Sequence, residues 1–86
     1  MNSLDRSIGF RVISSDGYVG TVEEIVYGAE NRLSALVIGT RLSEKPFVLV
    51  GVEEVLCCFE EAGSLILSPS WCSSAVEIPD AERLVA

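Results

Sequence analysis

Short runs of apolar, mostly β-branched residues alternate with polar turn clusters along most of the chain. Runs of this kind, bounded by Gly, Asp, Asn, Ser or Pro, are typical of β-strands. The runs are Ile8 to Ile13, Tyr18 to Tyr27, Leu33 to Thr40, Phe47 to Val50, Val55 to Phe59 and Leu65 to Leu67. The pattern predicts an all-β fold, a small and strongly bent antiparallel sheet of about five to six strands that forms a partly open barrel.

The first two runs are joined by the strongest hairpin signal in the sequence. Residues 14–17 read Ser-Ser-Asp-Gly. Gly17 can adopt the positive φ of a tight turn, and the side chain of Asp16 can bond to the turn backbone. We therefore predict a hairpin at this point.

The second run has no single apolar face, because its apolar residues change phase near the middle. A β-bulge at Glu23 and Glu24 would bring Val22 and Ile25 to the same side and bend the strand, as a closing barrel requires. Gly20, inside the same run, predicts either a close approach of a neighbouring backbone or coiling of the strand. The sequence thus predicts a bent and bulged second strand.

The third run is apolar on both faces, which is typical of a strand that lies centrally or meets a partner. For this reason Leu33, Leu36 and Ile38 are candidate interface residues. The fourth run is broken at Gly51, and residues 51–54 predict a single helical turn.

Beyond Ser68 the strand periodicity weakens, and a short helix is predicted from Pro79 to Leu84. We divide the chain into an N-terminal lead (1–7), a barrel (8–68) and a tail (69–86) that packs on the barrel or on a partner subunit. Trp71 and Cys72, in the tail, are further interface candidates, because Trp is a preferred interface anchor.

Composition favours a folded domain with apolar residues left over for its surface. Of 86 residues, 49% are hydrophobic, and the mean hydropathy is +0.42, whereas a domain this small has little interior. A docking face or a homo-oligomer, most simply a homodimer, would use that surplus.

The charge balance argues against nucleic acid and membrane as partners. Thirteen carboxylates against six Lys and Arg give a net charge of −7. Phosphates and anionic lipid surfaces attract basic footprints and repel this chain. The sequence also shows neither a signal peptide nor a membrane span.

The inventory of reactive residues predicts neither a catalytic site nor a cofactor or metal site. The chain has no histidine, which removes the commonest general base and metal ligand. Three adjacent glutamate pairs occur, at positions 23–24, 53–54 and 60–61. We interpret them as solubilising surface carboxylates, with weak binding of a divalent cation as the alternative.

Three cysteines, with Cys57 and Cys58 adjacent, do not form a disulfide framework, so we expect a cytoplasmic protein. Regular alternation would place Val55, Cys57 and Phe59 on one face of the fifth strand and Cys58 on the other. We expect small packed side chains here and not a redox centre, and Cys72 is the thiol most expected to be exposed.

Two stretches, IGFRVISSDGYVGTVEEIVYGAENRLSALVIG and FVLVGVEEVLCCFEEAGSLIL, resemble a PRC-barrel domain. That family is named for the H subunit of the photosynthetic reaction centre and also occurs at the C-terminus of a ribosome-maturation factor. The resemblance spans roughly residues 8 to 68. The positions that match its pattern are Gly9, Asp16, Gly17, Gly20, Val22, Val37 and the turn from Val52 to Val55. Gly51 stands where the family often has proline.

The resemblance implies a small, highly curved barrel with SH3-like architecture that serves as an assembly or adaptor module. Family members act through protein contacts, sometimes near RNA, and do not themselves catalyse a reaction. We therefore expect a non-enzymatic module that binds an unidentified protein and associates with itself. The alternative is a sensor domain that responds to a small ligand or a divalent cation.

Overall fold

The computed structural model of the chain describes residues 4–40 and 47–78, which contain seven β-strands and one short α-helix. The strands are β1 (Arg11–Ser14), β2 (Gly17–Tyr27), β3 (Leu33–Thr40), β4 (Phe47–Gly51), β5 (Val55–Phe59), β6 (Ser64–Leu67) and β7 (Val76–Ile78). The helix, α1, is Trp71–Ser74, and three single 3-10 turns cover Leu4–Arg6, Ala29–Asn31 and Val52–Glu54. The all-β fold predicted from the sequence is confirmed.

All seven strands belong to one sheet, in the order β5-β6-β1-β2-β3-β4-β7. Neighbouring strands are antiparallel except β1 and β6, which are parallel. β7 is a seventh strand that the sequence did not predict, and it joins the tail to the barrel by pairing with β4. The short helix of the tail lies at residues 71–74, and the helix predicted from Pro79 lies outside the described residues.

The sheet bends around one hydrophobic core. The core residues are Leu4, Val12, Val19, Val22, Leu36, Ile38, Val48, Val50, Leu65 and Leu67. They come from β6 near one end of the sheet and from β4 near the other, so the sheet must curl to bring them into one cluster. β5 and β7 lie at opposite ends of the strand order and are not paired with each other. The architecture is therefore a partly open barrel.

Two irregularities on β2 produce much of this curvature. In the pairing of β2 with β3, Val22 lies opposite Ile38 and Glu24 lies opposite Val37. Glu23 therefore has no residue opposite it in β3 and forms a β-bulge, at the position that the sequence predicts. Val22 and Ile25 both pack with the core as a result. Between β1 and β2 the extra residue is Val19, which is 5% exposed and also lies in the core. A bulge of this kind bends the strand and increases its twist.

β3 is an interior strand of the sheet, paired with β2 on one side and β4 on the other. Leu36 and Ile38 are completely buried in the core, so their proposed role as interface residues is wrong. Leu33 is half-buried and packs against the same core. Val37, which points to the opposite face, is also buried. The two-faced apolar pattern of this strand thus reflects its central position.

The β1–β2 turn has the geometry that its residues predict. Gly17 has φ of +113°, a backbone conformation that residues with a Cβ rarely adopt. The N–H of Asp16 donates a hydrogen bond of 3.2 Å to the hydroxyl of Ser14. The side chain of Ser14, and not that of Asp16, therefore bonds to the turn backbone.

The residues before β1 are part of the fold. Leu4 lies in the core and Ser7 is fully buried, its hydroxyl donating to the carbonyl of Leu4 at 2.6 Å. Gly9, with φ of +90°, redirects the chain, and its N–H donates to the carbonyl of Val22 at 2.8 Å. The chain therefore enters β1 at Arg11 and not at Ile8.

Candidate functional site

The side of β5, β6, β1 and β2 that faces away from the core carries a continuous apolar surface. Val12 and Leu65 point into the core, so the next residues, Ile13 and Ile66, point outward. These two are opposite each other in the parallel β1–β6 pair. Tyr18 lies opposite Ile13, and Cys57 lies opposite Ile66. Because opposed residues share a face, these four side chains form one row across four strands.

A second row of side chains lies two residues away from the first along β1, β5 and β6. It contains Phe59, Ser64, Arg11 and Thr21, which are opposite one another in successive strand pairs. We call Ile13, Tyr18, Cys57, Phe59 and Ile66 the outer apolar face. Both rows belong to the same sheet surface, because residues two apart on a strand point the same way.

Three of the five side chains of the outer apolar face are exposed, namely Tyr18, Cys57 and Phe59, and Ile13 and Ile66 are half-buried. Phe59 is 52% exposed and Tyr18 is 48% exposed. Single exposed apolar residues are ordinary on protein surfaces, whereas the largest contiguous apolar patch of a domain is often functional. Other large exposed apolar residues lie outside this group: Ile8, Tyr27, Leu56 and Val76.

The phase of β5 depends on its bulge. The pairing with β6 passes from Val55 opposite Leu67 to Cys57 opposite Ile66, so Leu56 is the extra residue. Val55 and Cys58 pack against the core, while Cys57 and Phe59 are exposed. The predicted separation of Cys57 from Cys58 is confirmed, and the predicted placement of Val55 with Cys57 is wrong.

Acidic side chains lie at both ends of the outer apolar face. Asp16, in the β1–β2 turn, is exposed two residues before Tyr18 in the sequence. Glu60 and Glu61 are exposed in the turn that follows Phe59, at the other end. Arg11, in the second row, is exposed on the face itself. Among residues 4–40 and 47–78, the face is therefore an apolar surface with acidic residues at both ends and the basic side chain of Arg11 in its second row.

A second constellation ties the tail to the barrel. The carboxylate of Glu54 accepts hydrogen bonds from three serine hydroxyls: Ser68 on Oε1, Ser70 on Oε1 at 3.0 Å, and Ser74 on Oε2 at 3.0 Å. The N–H of Ser68 also donates to the backbone carbonyl of Glu54 at 2.7 Å. We call Glu54 with its three serines the serine clasp.

The serine clasp holds structure and is poorly suited to acid–base chemistry. The hydroxyls of Ser68, Ser74 and Ser70 stabilise the ionised carboxylate, so the pKa of Glu54 is lowered from its ordinary value. A carboxylate with a lowered pKa is a weaker base, and it cannot activate a serine nucleophile effectively. The clasp instead joins the turn before β5 to the end of β6 and to α1.

Trp71 and Cys72 lie at the start of α1. Trp71 is half-buried and packs against the core. Cys72 is exposed. The outer apolar face includes neither residue, because both belong to the tail and the face lies on β5, β6, β1 and β2.

No protein-family model and no curated protein matches the chain. The resemblance to PRC-barrel domains therefore stays a prediction. Any statement about function therefore rests on the outer apolar face, the serine clasp and the remaining charged side chains.

The glutamate pairs do not converge on a common point within residues 4–40 and 47–78. In this part of the chain no group of three or more Cys, Asp or Glu side chains is close enough to hold a metal ion. The carboxylates of Glu23 and Glu53 each lie close to a glycine instead. An ideal Cβ on Gly39 would be 2.9 Å from Oε2 of Glu23, and one on Gly51 would be 2.6 Å from Oε1 of Glu53.

None of the helices in residues 4–40 and 47–78 is long and apolar enough to span a bilayer.

The serine clasp predicts a pH-dependent contribution to stability. Because the pKa of Glu54 is lower in the folded chain than in the unfolded chain, the clasp stabilises fully above the unfolded pKa, and this contribution disappears as the pH falls through the folded pKa. Glu54→Gln should lower the urea midpoint at pH 7. The difference from the wild type should shrink steadily below about pH 4. A difference that is the same at pH 7 and pH 3 would contradict this account.

The burial of the three thiols predicts their order of reaction. Cys57 and Cys72 are exposed, whereas Cys58 packs against the core. Alkylation of the native protein, followed by peptide mass spectrometry, should modify Cys57 and Cys72 before Cys58. All three should react alike in urea. Reaction of native Cys58 as early as Cys57 would show that β5 does not have this phase.

Proposed function

We propose that this chain is a non-enzymatic protein-interaction module that binds its partner through the outer apolar face. The supporting observation is the row formed by Cys57, Ile66, Ile13 and Tyr18 on four adjacent strands, in which Cys57 and Tyr18 are exposed and the two isoleucines are half-buried. The core lies on the other side of the sheet. The apolar area that these side chains still expose would be buried favourably against another protein.

The resemblance to PRC-barrel adaptor modules supports the same proposal. The all-β sheet is strongly bent, and Gly17 and Gly20 lie in a turn and at a close backbone approach respectively. Gly51 has φ of −64° and ψ of 148°, values that proline also adopts. The departure from the family pattern at this position therefore leaves the turn geometry compatible with the resemblance.

A lack of catalytic groups is part of the proposal. The sequence contains no histidine, and the lowered pKa of Glu54 makes the serine clasp a weak base. The three cysteines are free, one of them on the outer apolar face, and this favours a reducing compartment such as the cytoplasm.

The proposal is tested by comparing what different variants capture from extracts of the source cell. The test variant combines Ile13→Ser with Phe59→Ser, which makes the outer apolar face polar. The matched control is Val76→Ser on β7, because Val76 is a similarly exposed apolar residue, 56% open, outside the face. Circular dichroism and urea unfolding establish that both variants fold.

We expect at least one protein to be captured by the wild type and by Val76→Ser but not by the double variant. Equal capture by all three would overturn the proposed function. The predicted homodimer stays a prediction, and sedimentation of the wild type at micromolar concentration tests it separately.

A further inference from the structure

We infer that the outer apolar face binds a short segment of another protein whose apolar side chains are bordered by Lys or Arg. This inference rests on the proposed function and specifies the chemistry of the partner. It follows from the charges at the ends of the face and from the size of the face.

The acidic residues at the ends of the face favour a partner that carries positive charge. Asp16 lies at one end, in the turn between β1 and β2, and Glu60 and Glu61 lie at the other, in the turn between β5 and β6. All three carboxylates are exposed, and Arg11 is the basic residue that the strand pairing places in the second row. A partner segment with basic residues on both sides of its apolar residues would match this arrangement, since complementary charge favours encounter and fixes register.

The size of the face favours a short segment over a folded domain. Four strands at a spacing of about 4.8 Å span about 14 Å, and the two rows lie about 7 Å apart along the strands. Including side chains, the face covers on the order of 300 Å². A stable globular interface buries about 800 Å² on each partner. A single peptide segment can cover the smaller area completely.

A second copy of the chain fits the same face poorly. If two copies pack face to face with their strands aligned, parallel or antiparallel, each acidic end meets an acidic end of the other copy. The net charge of −7 on each chain adds to this repulsion. An anionic lipid surface would be repelled for the same reason.

Labelled synthetic peptides of identical length test the inference. Each probe has a central group of Leu residues bordered on both sides by Lys, by Ser or by Glu, and its binding to the whole chain is followed by fluorescence anisotropy at low salt. We expect the Leu–Lys peptide to bind more tightly than the Leu–Ser peptide, and the Leu–Glu peptide not to bind. Raising the salt concentration should weaken the Leu–Lys complex, because exposed charge pairs are screened.

Variants distinguish binding at the face from general attraction to an acidic protein. Glu60→Gln with Glu61→Gln should weaken the Leu–Lys complex about threefold to tenfold. Glu30→Gln should not, although it also removes one exposed carboxylate, because Glu30 lies in the β2–β3 connection beside Arg32. Ile13→Ser with Phe59→Ser should abolish binding although every carboxylate remains.

Each result that departs from these expectations contradicts a different part of the inference. Equal binding of the Leu–Lys and Leu–Ser peptides, lost in the Ile13→Ser/Phe59→Ser variant, would overturn the basic chemistry of the partner and leave the proposed function standing. Leu–Lys binding that survives in that variant would overturn the assignment to the face. A wild-type dimer that the Phe59→Ser change dissociates would show that a second copy covers the face. Binding to anionic vesicles that needs the same residues would assign the face to lipid.

Discussion

Replacing Gly20 with alanine should destabilise the domain more than any other single methyl group added to its sheet. An ideal Cβ at Gly20 would lie 2.9 Å from the carbonyl carbon of Gly39 and even closer to its oxygen. These are backbone atoms of the adjacent strand β3, so no side-chain rotation can relieve the overlap. Overpacking typically costs about 1–3 kcal/mol, and Gly20→Ala should reach the upper part of this range.

That loss would be a large fraction of the whole stability. A domain of 86 residues has a free energy of unfolding of about 4–13 kcal/mol. Urea unfolding of Gly20→Ala should show a clearly lower midpoint. The matched control is Gly28→Ala, where the nearest atom to an ideal Cβ is the Cβ of Ser34 at an ordinary 3.4 Å. Equal midpoints for the two variants would mean that β2 and β3 do not approach closely at Gly20.

Leu36→Ala should cost about 3–5 kcal/mol of the free energy of unfolding. Leu36 is completely buried and lies opposite Val50 on one side and Ile25 on the other, in the centre of the core. Removing three carbons there loses their transfer free energy and leaves a cavity that the surrounding strands cannot fill. The same replacement at Leu56, which is 60% exposed, should change stability by less than about 0.5 kcal/mol.

This pair of variants also separates the two roles considered for β3. If Leu36 were an interface residue, Leu36→Ala would weaken binding and leave the unfolding of the isolated chain unchanged. If Leu36 lies in the core, Leu36→Ala must instead lower the free energy of unfolding of the isolated chain. Urea unfolding of both variants under the same conditions decides between the two roles.

The sequence predicted most strands closely, because turn residues punctuate them. β3 and β5 have the predicted ends, and β4 differs by one residue. β1 was predicted to begin at Ile8 but begins at Arg11. The reason is the turn before it, in which the N–H of Phe10 donates to the carbonyl of Ser7 and Gly9 adopts a positive φ. A run of apolar residues does not reveal such a turn.

β7 was missed because its pairing is not local. Val76, Glu77 and Ile78 form only three residues of strand, and their partner is β4, with β5, β6 and α1 lying between in the chain. Short segments carry little periodicity of their own. Their conformation is decided by the neighbour that they meet after the barrel has formed.

The candidate site was missed for a related reason. The sequence indicates that β1 and β6 are apolar at consecutive positions, for example Ile13 next to Val12 and Ile66 next to Leu65. β1 and β6 therefore show the same two-faced apolar pattern as β3. That Ile13 and Ile66 lie side by side follows from the parallel pairing of β1 with β6. No local pattern specifies that pairing.

If another protein covers the outer apolar face in the cell, photo-crosslinking from position 59 should capture that protein. Phe59→benzoylphenylalanine puts a photoreactive group on the face. Tyr27→benzoylphenylalanine is the matched control, because Tyr27 is an aromatic residue with nearly the same exposure, 50% against 52%, outside the face. After irradiation of the source cells, position 59 should give an adduct with a different protein, and position 27 should not. Equal adducts from both positions, or none from position 59, would contradict the proposed function.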